Sequence, residues 1–388
     1  MRTHSLPDDV VLDILLRLPV KSVKRFKCIC RSWCSKFQEP DFLREHYLTN
    51  AVRGTNLRTI VKSMSVFDPL TYDPLVIGAS LSRIVVDFSL LSNQTMRVKE
   101  TINIPVVLPS LFPVMDMVGE CEGLILLCSF ENSDPIMILN PATQELKTLP
   151  KSSVERPNYT DYVFFSALAF GYDCSTGDYK VVRFVITDGP FGFSYSEQVE
   201  LYRLSCNSWR LITYPFHDHV LLPSRFNTYV NGHCHWWLNN RVEKILAFDM
   251  TQETFQVMEF SSSSDFTLCC LEQGSSGPEL RVFRNHLAVF AHSRQKMGCF
   301  EIWVMEEYGV MESWTKQLVI GPISGVEELL GMWKTGEWFF KTDERRLALF
   351  HPDTKAIKDL EIHHCPRAGN YGLTLLIFTE SLFSLNGR

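Results

Sequence analysis

The sequence predicts an α+β multidomain chain: a small three-helix module at the N-terminus, then a large all-β domain of repeated four-stranded antiparallel units. Apolar residues recur at helical spacing over 6–47, and beyond residue 50 the period shortens to that of strands separated by polar turns. The composition fits: 388 residues, 45% hydrophobic and 21% charged, give a globular chain with room for one small and one large domain.

In the first helix Val10, Val11, Ile14, Leu15 and Leu18 form one broad apolar stripe. Ser5 is the expected cap, Pro7 and Asp8 suit a first turn, and the Leu18-Pro19 step ends the helix. A second short helix is expected from about Ser22, carrying Val23 and Phe26. A third presents Cys30, Trp33, Cys34 and Phe37 on one side and stops at Pro40. A module of this size rarely closes a core without disulfides, a metal or a partner, so its spare apolar face reads as a docking surface. Between Ile14 and Phe37 lie seven basic residues and no acidic one, in a chain of net charge −6. Such a patch on an otherwise acidic protein would steer an acidic partner. The acidic remainder, with no zinc-finger or RNA-recognition signature, argues against nucleic acid.

In the β region, segments 138–150, 169–185, 245–260 and 347–362 share one layout. Each has an apolar strand, a turn-forming Asn140, Asp173, Asp249 or His351, and an apolar residue six positions later (Leu146, Tyr179, Phe255, Ile357). Asn and Asp side chains satisfy turn backbone, which makes these hairpins. Segments 199–212 and 300–320 are variants whose second strand carries Trp209 or Trp314. A second element, a turn before a buried strand, recurs at 119–128, 230–240, 283–292 and 333–342. Together they make four-stranded units of roughly 40–50 residues, the period of propeller blades, with six or seven blades expected. A pair of packed sandwiches is the other all-β arrangement these hairpins allow.

Leu6, Pro7, Asp8, Ile14, Leu15, Arg17, Leu18, Pro19, Val20, Lys21, Ser22, Val23, Arg25, Phe26, Lys27, Cys28, Arg31, Ser32 and Trp33 fit one dense pattern. It resembles the F-box of plant F-box proteins. The resemblance implies a Skp1-like partner, and through it the cullin and RING subunits of a ubiquitin ligase. The implied Skp1-binding residues are Leu6, Pro7, Ile14, Leu15, Leu18, Pro19, Val20, Val23, Phe26, Cys30 and Trp33. Further on, C-E-G-L-I at 121–125, I-L-N-P-A-T at 138–143, L-A-F-G-Y-D at 168–173 and D-Y-K-V-V-R at 178–183 resemble the F-box-associated type 1, kelch-like domain. Segments 199–210, 248–255 and 301–316 extend that likeness. The expected division is 1–48 for the F-box, 49–104 for a connecting segment and first strands, and 105–388 for the propeller-like recognition domain. The phrasing looks closest to the S-locus F-box group, which implies a pollen protein that recognises S-ribonucleases in self-incompatibility. A receptor for another target, such as an immune receptor, and a non-degradative Skp1-binding scaffold are the alternatives.

The chain is expected to be a non-catalytic adaptor with no cofactor and no metal. It carries no Walker A loop, dinucleotide-binding glycine pattern, G-x-S-x-G or kinase set. His233-Cys234-His235 and His363-His364-Cys365 resemble metal pairs, but zinc needs three or four ligands, so both read as packing or polar residues. Cys28 and Cys30 point apart on a helix. Asp116, Glu120 and Glu122 read as a solvated loop. Target contacts are expected in loops 151–161, 187–198, 214–227 and 261–279, with Phe191, Phe193 and Tyr195 as the candidates. There is no apolar leader, the longest apolar runs (such as residues 124–128) are too short to span a bilayer, and the 12 cysteines sit mostly in apolar runs. These features suggest reduced thiols and a location in the cytoplasm or the nucleus, away from membrane.

Overall fold

Four helices open the chain rather than three: α1 (Asp8–Leu16), α2 (Val20–Phe26), α3 (Arg31–Lys36) and α4 (Pro40–Arg53). This computed structural model describes residues 6–67, 83–104, 115–129, 135–154, 163–188, 195–216, 228–238, 244–260, 277–293, 296–363 and 373–385. Pro40 ends no helix; it is the first residue of α4, where its fixed φ fits and its missing N–H is not needed. Helix α4 crosses residue 48 and closes on Gly54 in the left-handed conformation (φ 59°). Helix α1 starts after Pro7 with no side-chain cap bond, and Ser5 lies outside the described residues. Leu15, Leu16, Val20, Val23, Phe37 and Phe42 form a small core, which Leu382 enters from the far end of the chain.

The remaining strands form six antiparallel sheets of four. In chain order the first comprises β1 (Leu57–Phe67), β2 (Arg83–Leu91) and β3 (Val98–Ile102). The second has β4 (Met115–Cys121), β5 (Leu124–Ser129), β6 (Ile136–Asn140) and β7 (Glu145–Thr148), and the third β8 (Val163–Asp173), β9 (Asp178–Asp188), β10 (Tyr195–Arg203) and β11 (Ser208–Ile212). The fourth has β12 (Thr228–Val230), β13 (His233–Leu238), β14 (Lys244–Asp249) and β15 (Thr254–Glu259). The fifth has β16 (Glu279–Phe283), β17 (His286–His292), β18 (Phe300–Met305) and β19 (Trp314–Ile320). The sixth has β20 (Val326–Met332), β21 (Trp338–Thr342), β22 (Arg346–Phe350) and β23 (Ile357–His363). Last in the chain, β24 (Thr374–Thr379) returns to the first sheet and pairs with β1 from Leu57↔Thr379 to Lys62↔Thr374. The ring is thereby closed by one strand from the C-terminal end.

Strands of neighbouring sheets touch, β24 against β4 and β20, β4 against β8, β8 against β12 and β12 against β16, and each gap between sheets holds its own apolar cluster. The architecture is therefore a six-bladed β-propeller, and the sandwich arrangement and a seventh blade are both excluded. Hydrophobic burial runs unbroken around the ring, from Phe184 against Trp236 between blades three and four to Val61 and Leu375 against Phe339 between blades six and one.

The four hairpin segments share their turn chemistry. Asn140 Oδ1 accepts from the N–H groups of Ala142 and Thr143, Asp249 Oδ1 from Thr251 and Gln252, and Asp173 Oδ1 from Ser175 and Thr176. His351 Nδ1 takes the same role for Thr354 at 3.4 Å. Three of these join the third and fourth strands of a blade, whereas 169–185 is the first hairpin of blade three.

Because all pairings are antiparallel, the first-to-second and third-to-fourth turns of blades two to six share one end of the propeller with the β2–β3 turn of the first blade, whose innermost strand is β24. The second-to-third connections and the links between blades leave from the other end. The helical module packs on the first end: Lys24 Nζ donates to Thr143 O in the β6–β7 turn at 3.4 Å, and Arg44 pairs with Glu122 in the β4–β5 turn at 3.0 Å. The strand ends that flank 155–162, 189–194, 217–227 and 261–276 therefore all open on the end away from the helices.

Candidate functional site

The helical module presents an apolar face made of fewer residues than the sequence suggests. Leu6 (58% exposed), Pro7, Ile14 (46%), Pro19 and Cys30 are exposed, and Leu18, Phe26 and Trp33 are half-buried. Leu15, Val20 and Val23, expected among the contacting residues, are buried inside the module itself. They support the face from beneath. Val10 and Ile29, exposed at 40% and 61%, extend the surface. Val10 was visible as part of the α1 stripe; Ile29 falls in the turn after α2, where no periodicity marks it.

A chain of rings stiffens this face. Phe26 and Trp33 lie 5.8 Å apart, Trp33 and Phe37 6.0 Å, and Phe37 and Phe42 5.1 Å. Four of the seven basic residues are engaged within the chain: Arg17 with Asp13, Lys36 with Glu39, Lys21 with Glu100 and Lys24 with Thr143 O. The basic patch thus partly anchors the module to the propeller.

Buried amides complete the anchorage. Asn50 Nδ2 donates to Leu16 O (2.9 Å) and His46 O (2.7 Å), and its Oδ1 accepts from Thr55 Oγ1 and Asn56 Nδ2. His46 Nε2 donates to Leu18 O at 2.8 Å, and burial lowers its pKa. Beyond β24 the chain runs beneath the helices: Asn140 Nδ2 donates to Ser381 O and Phe383 O, while Glu145 accepts from Ser384 and the Leu385 N–H. Gly123 (φ +82°) lies so close to this tail that a Cβ would strike Thr379 O and Ser381.

Asp116, Glu120 and Glu122 are not a solvated loop. Asp116 is buried on β4, where it accepts from Lys62 Nζ (2.7 Å) and Thr374 Oγ1 (3.2 Å). Glu120 accepts from the Gly123 N–H at 2.7 Å, and burial pushes its carboxyl up to about 7. Burial also raises Glu122, against the opposing charge of Arg44, whose guanidinium stacks over the Tyr172 ring at 4.6 Å. Partners from another blade and from α4 account for Asp116 and Glu122, and the local β4–β5 turn accounts for Glu120.

His233 and His235 share one face of β13, with ring centres 6.4 Å apart. His235 is fixed between Thr228 O (2.9 Å) and Tyr308 Oη (2.8 Å), and burial lowers its pKa to about 3, so the ring is neutral. Among the described residues no three metal-ligating side chains converge. His364 and Cys365 lie outside the described residues. Cys121, Cys128, Cys234 and Cys299 are buried free thiols, whereas Cys28, Cys30, Cys174 and Cys206 are exposed.

Of the expected target contacts, Phe191 and Phe193 lie outside the described residues, as do most of loops 151–161, 187–198, 214–227 and 261–279. Tyr195 opens β10, its backbone in register with Asp188. No described helix is long and apolar enough to cross a membrane.

Residues 4–45 match the F-box domain, and residues 79–369 match the F-box associated beta propeller domain. The chain is 23% identical over 400 residues to the F-box protein CPR1 of Arabidopsis thaliana, covering 96% of this chain and 88% of that protein. It is 28% identical over 321 residues to an F-box/kelch-repeat protein of the same plant, covering 82% of this chain and 80% of its relative. With a helical F-box docked on six four-stranded blades and both domain families matched in order, the chain belongs to the F-box proteins with an F-box associated β-propeller domain.

Proposed function

We propose that this chain is the substrate-recognition subunit of a Skp1–cullin–F-box ubiquitin ligase, itself non-catalytic, acting in the cytoplasm or nucleus. The observation that carries this reading is an F-box whose exposed apolar face (Leu6, Ile14, Pro19, Cys30 and the edges of Phe26 and Trp33) is fixed to one end of a propeller. The connections suited to holding a target leave from the opposite end. An adaptor of this kind needs no reactive groups; it contributes effective concentration and orientation of the target. The division into a 1–48 F-box, a 49–104 entry segment and a 105–388 recognition domain belongs to this proposal, with α4 as the joint.

The target is proposed to be a protein held on the end away from the F-box, and an S-ribonuclease is the first to test. Co-purification from plant tissue under proteasome inhibition tests the whole reading. A Skp1-like protein, a cullin and a stabilised ubiquitinated protein are expected together. Recovery of the Skp1-like protein without cullin would replace it with a non-degradative scaffold.

A further inference from the structure

We propose that the cleft between α4 and the third and fourth blades binds a small organic amine. The cleft is open to solvent on one side and holds about 360 Å³, and its walls include Arg44, Tyr172, Tyr229, His233, Asp249 and Gln252. That volume is in the range of small-molecule sites.

The chemistry of its wall selects the ligand. His233 Nδ1 lies 2.8 Å from Asn231 O; a carbonyl only accepts, so Nδ1 carries the proton. In the neutral tautomer that keeps this bond, Nε2 is an acceptor 3.5 Å from Asp249 Oδ2, a second acceptor. Asp249 Oδ1 is already occupied by the N–H groups of Thr251 and Gln252. Two lone pairs facing one cleft call for a donor between them, and a primary ammonium supplies three. Charge agrees, since Arg44 is matched by Glu122, which leaves Asp249 as the unbalanced charge of the wall. A carboxylate or phosphate ligand would meet that charge unfavourably. The floor is held in place: Tyr229 donates to Tyr172 O at 2.7 Å, and Arg44 stacks over the Tyr172 ring. One imidazole and one carboxylate are too few for a metal. An amine bound here would touch α4 and blade four together and so brace the F-box against the propeller, whatever the target is.

Titration calorimetry of the full chain with tyramine, and with its uncharged analogue 4-ethylphenol, tests the site. Saturable tyramine binding is expected, with 4-ethylphenol weaker by about tenfold or more. Asp249→Asn keeps the Oδ1 acceptor that forms the turn and removes the charge, so it should cut tyramine affinity about tenfold as well. The proposal is overturned if tyramine fails to saturate at both pH 6 and pH 8, which would mean that a ring proton alone fills the gap. Equal binding of the two compounds, or wild-type tyramine affinity in Asp249→Asn, overturns it too.

Discussion

Leu382 lies beyond the last propeller strand, yet its side chain is 3% exposed in the core of the helical module, among Leu15, Leu16, Val20, Val23, Phe37 and Phe42. Truncation to Ala removes three carbon atoms, about 2.4 kcal/mol of transfer free energy at ~0.8 kcal/mol per group. The cavity left behind brings the expected loss to about 3 kcal/mol. A module of four short helices has little stability to spare, whereas none of the six inter-blade clusters includes Leu382. The loss should therefore appear as local opening of the helices, with the blades intact. Hydrogen exchange with mass spectrometry reads this directly. Amides of α1 to α4 should lose about a hundredfold protection, while β5, β13 and β17 exchange as in wild type. Unchanged protection in the helices would refute the idea that the F-box borrows its core from the propeller; uniform loss across all blades would refute its local character.

Three further experiments probe the same architecture. Ile14→Ala trims an exposed face residue and should weaken capture of a Skp1-like partner about tenfold at unchanged melting temperature, while Val23→Ala, fully buried, should lower the melting temperature itself; identical behaviour of the two in both assays would undo the division into face and support. Glu120 is raised to about 7 in the folded chain from an ordinary 4.5, so the folded state holds a proton the unfolded state releases, and stability contributed by Glu120 is full below about pH 4.5 and declines up to about pH 7. Glu120→Gln should accordingly gain a few kcal/mol relative to wild type at pH 8 and nothing at pH 4.5, measured by denaturant titration at both. Arg183 and Glu200, both fully buried, pair at 2.7 Å with Arg183 also over the Trp209 ring at 4.0 Å. Arg183→Ala should cost about 3–5 kcal/mol by stranding the Glu200 charge, and Glu200→Gln in the same chain should recover part of it in thermal unfolding.

The blades were legible because their signal is local. A strand, an Asx turn and a second strand lie within seventeen residues, and Asn140, Asp173 and Asp249 do what their side-chain geometry dictates at short range. The count of six was not legible, because the first blade is split between β1–β3 and β24, and residues 57 and 379 meet only once the ring closes. Pro40 misled for a related reason: a proline both ends one helix and begins the next, and α4 lacks the strong apolar stripe that would have settled which. Asp116 shows the general limit. Its partners Lys62 and Thr374 are 54 and 258 positions away, so a buried charge pair looked like a surface acid. The same holds for Leu15, Val20 and Val23. Periodicity identifies an apolar side chain but not whether the chain's own helices or a partner will cover it.

That distinction decides what can go wrong in an adaptor. Under the proposed function the chain contributes distance and angle, so a residue that fixes the F-box to the blades matters as much as one that touches a partner. Those fixing residues are scattered: Arg44 and Asn50 on α4, Glu122 in the β4–β5 turn, Asn140 in the β6–β7 turn, and the tail from Ser381 to Leu385. Glu122 and Asn140 fall in recurring segments, but those segments do not show the fixing role, since the partner lies in another element. Loosening the Arg44–Glu122 pair or the Asn140 contacts with the tail should leave both domains folded and both binding faces intact, yet widen the range of positions the target samples. Transfer of ubiquitin should therefore fall more steeply than either binding affinity across such a set of variants, and equal declines in transfer and binding would show that the joint carries no geometric role.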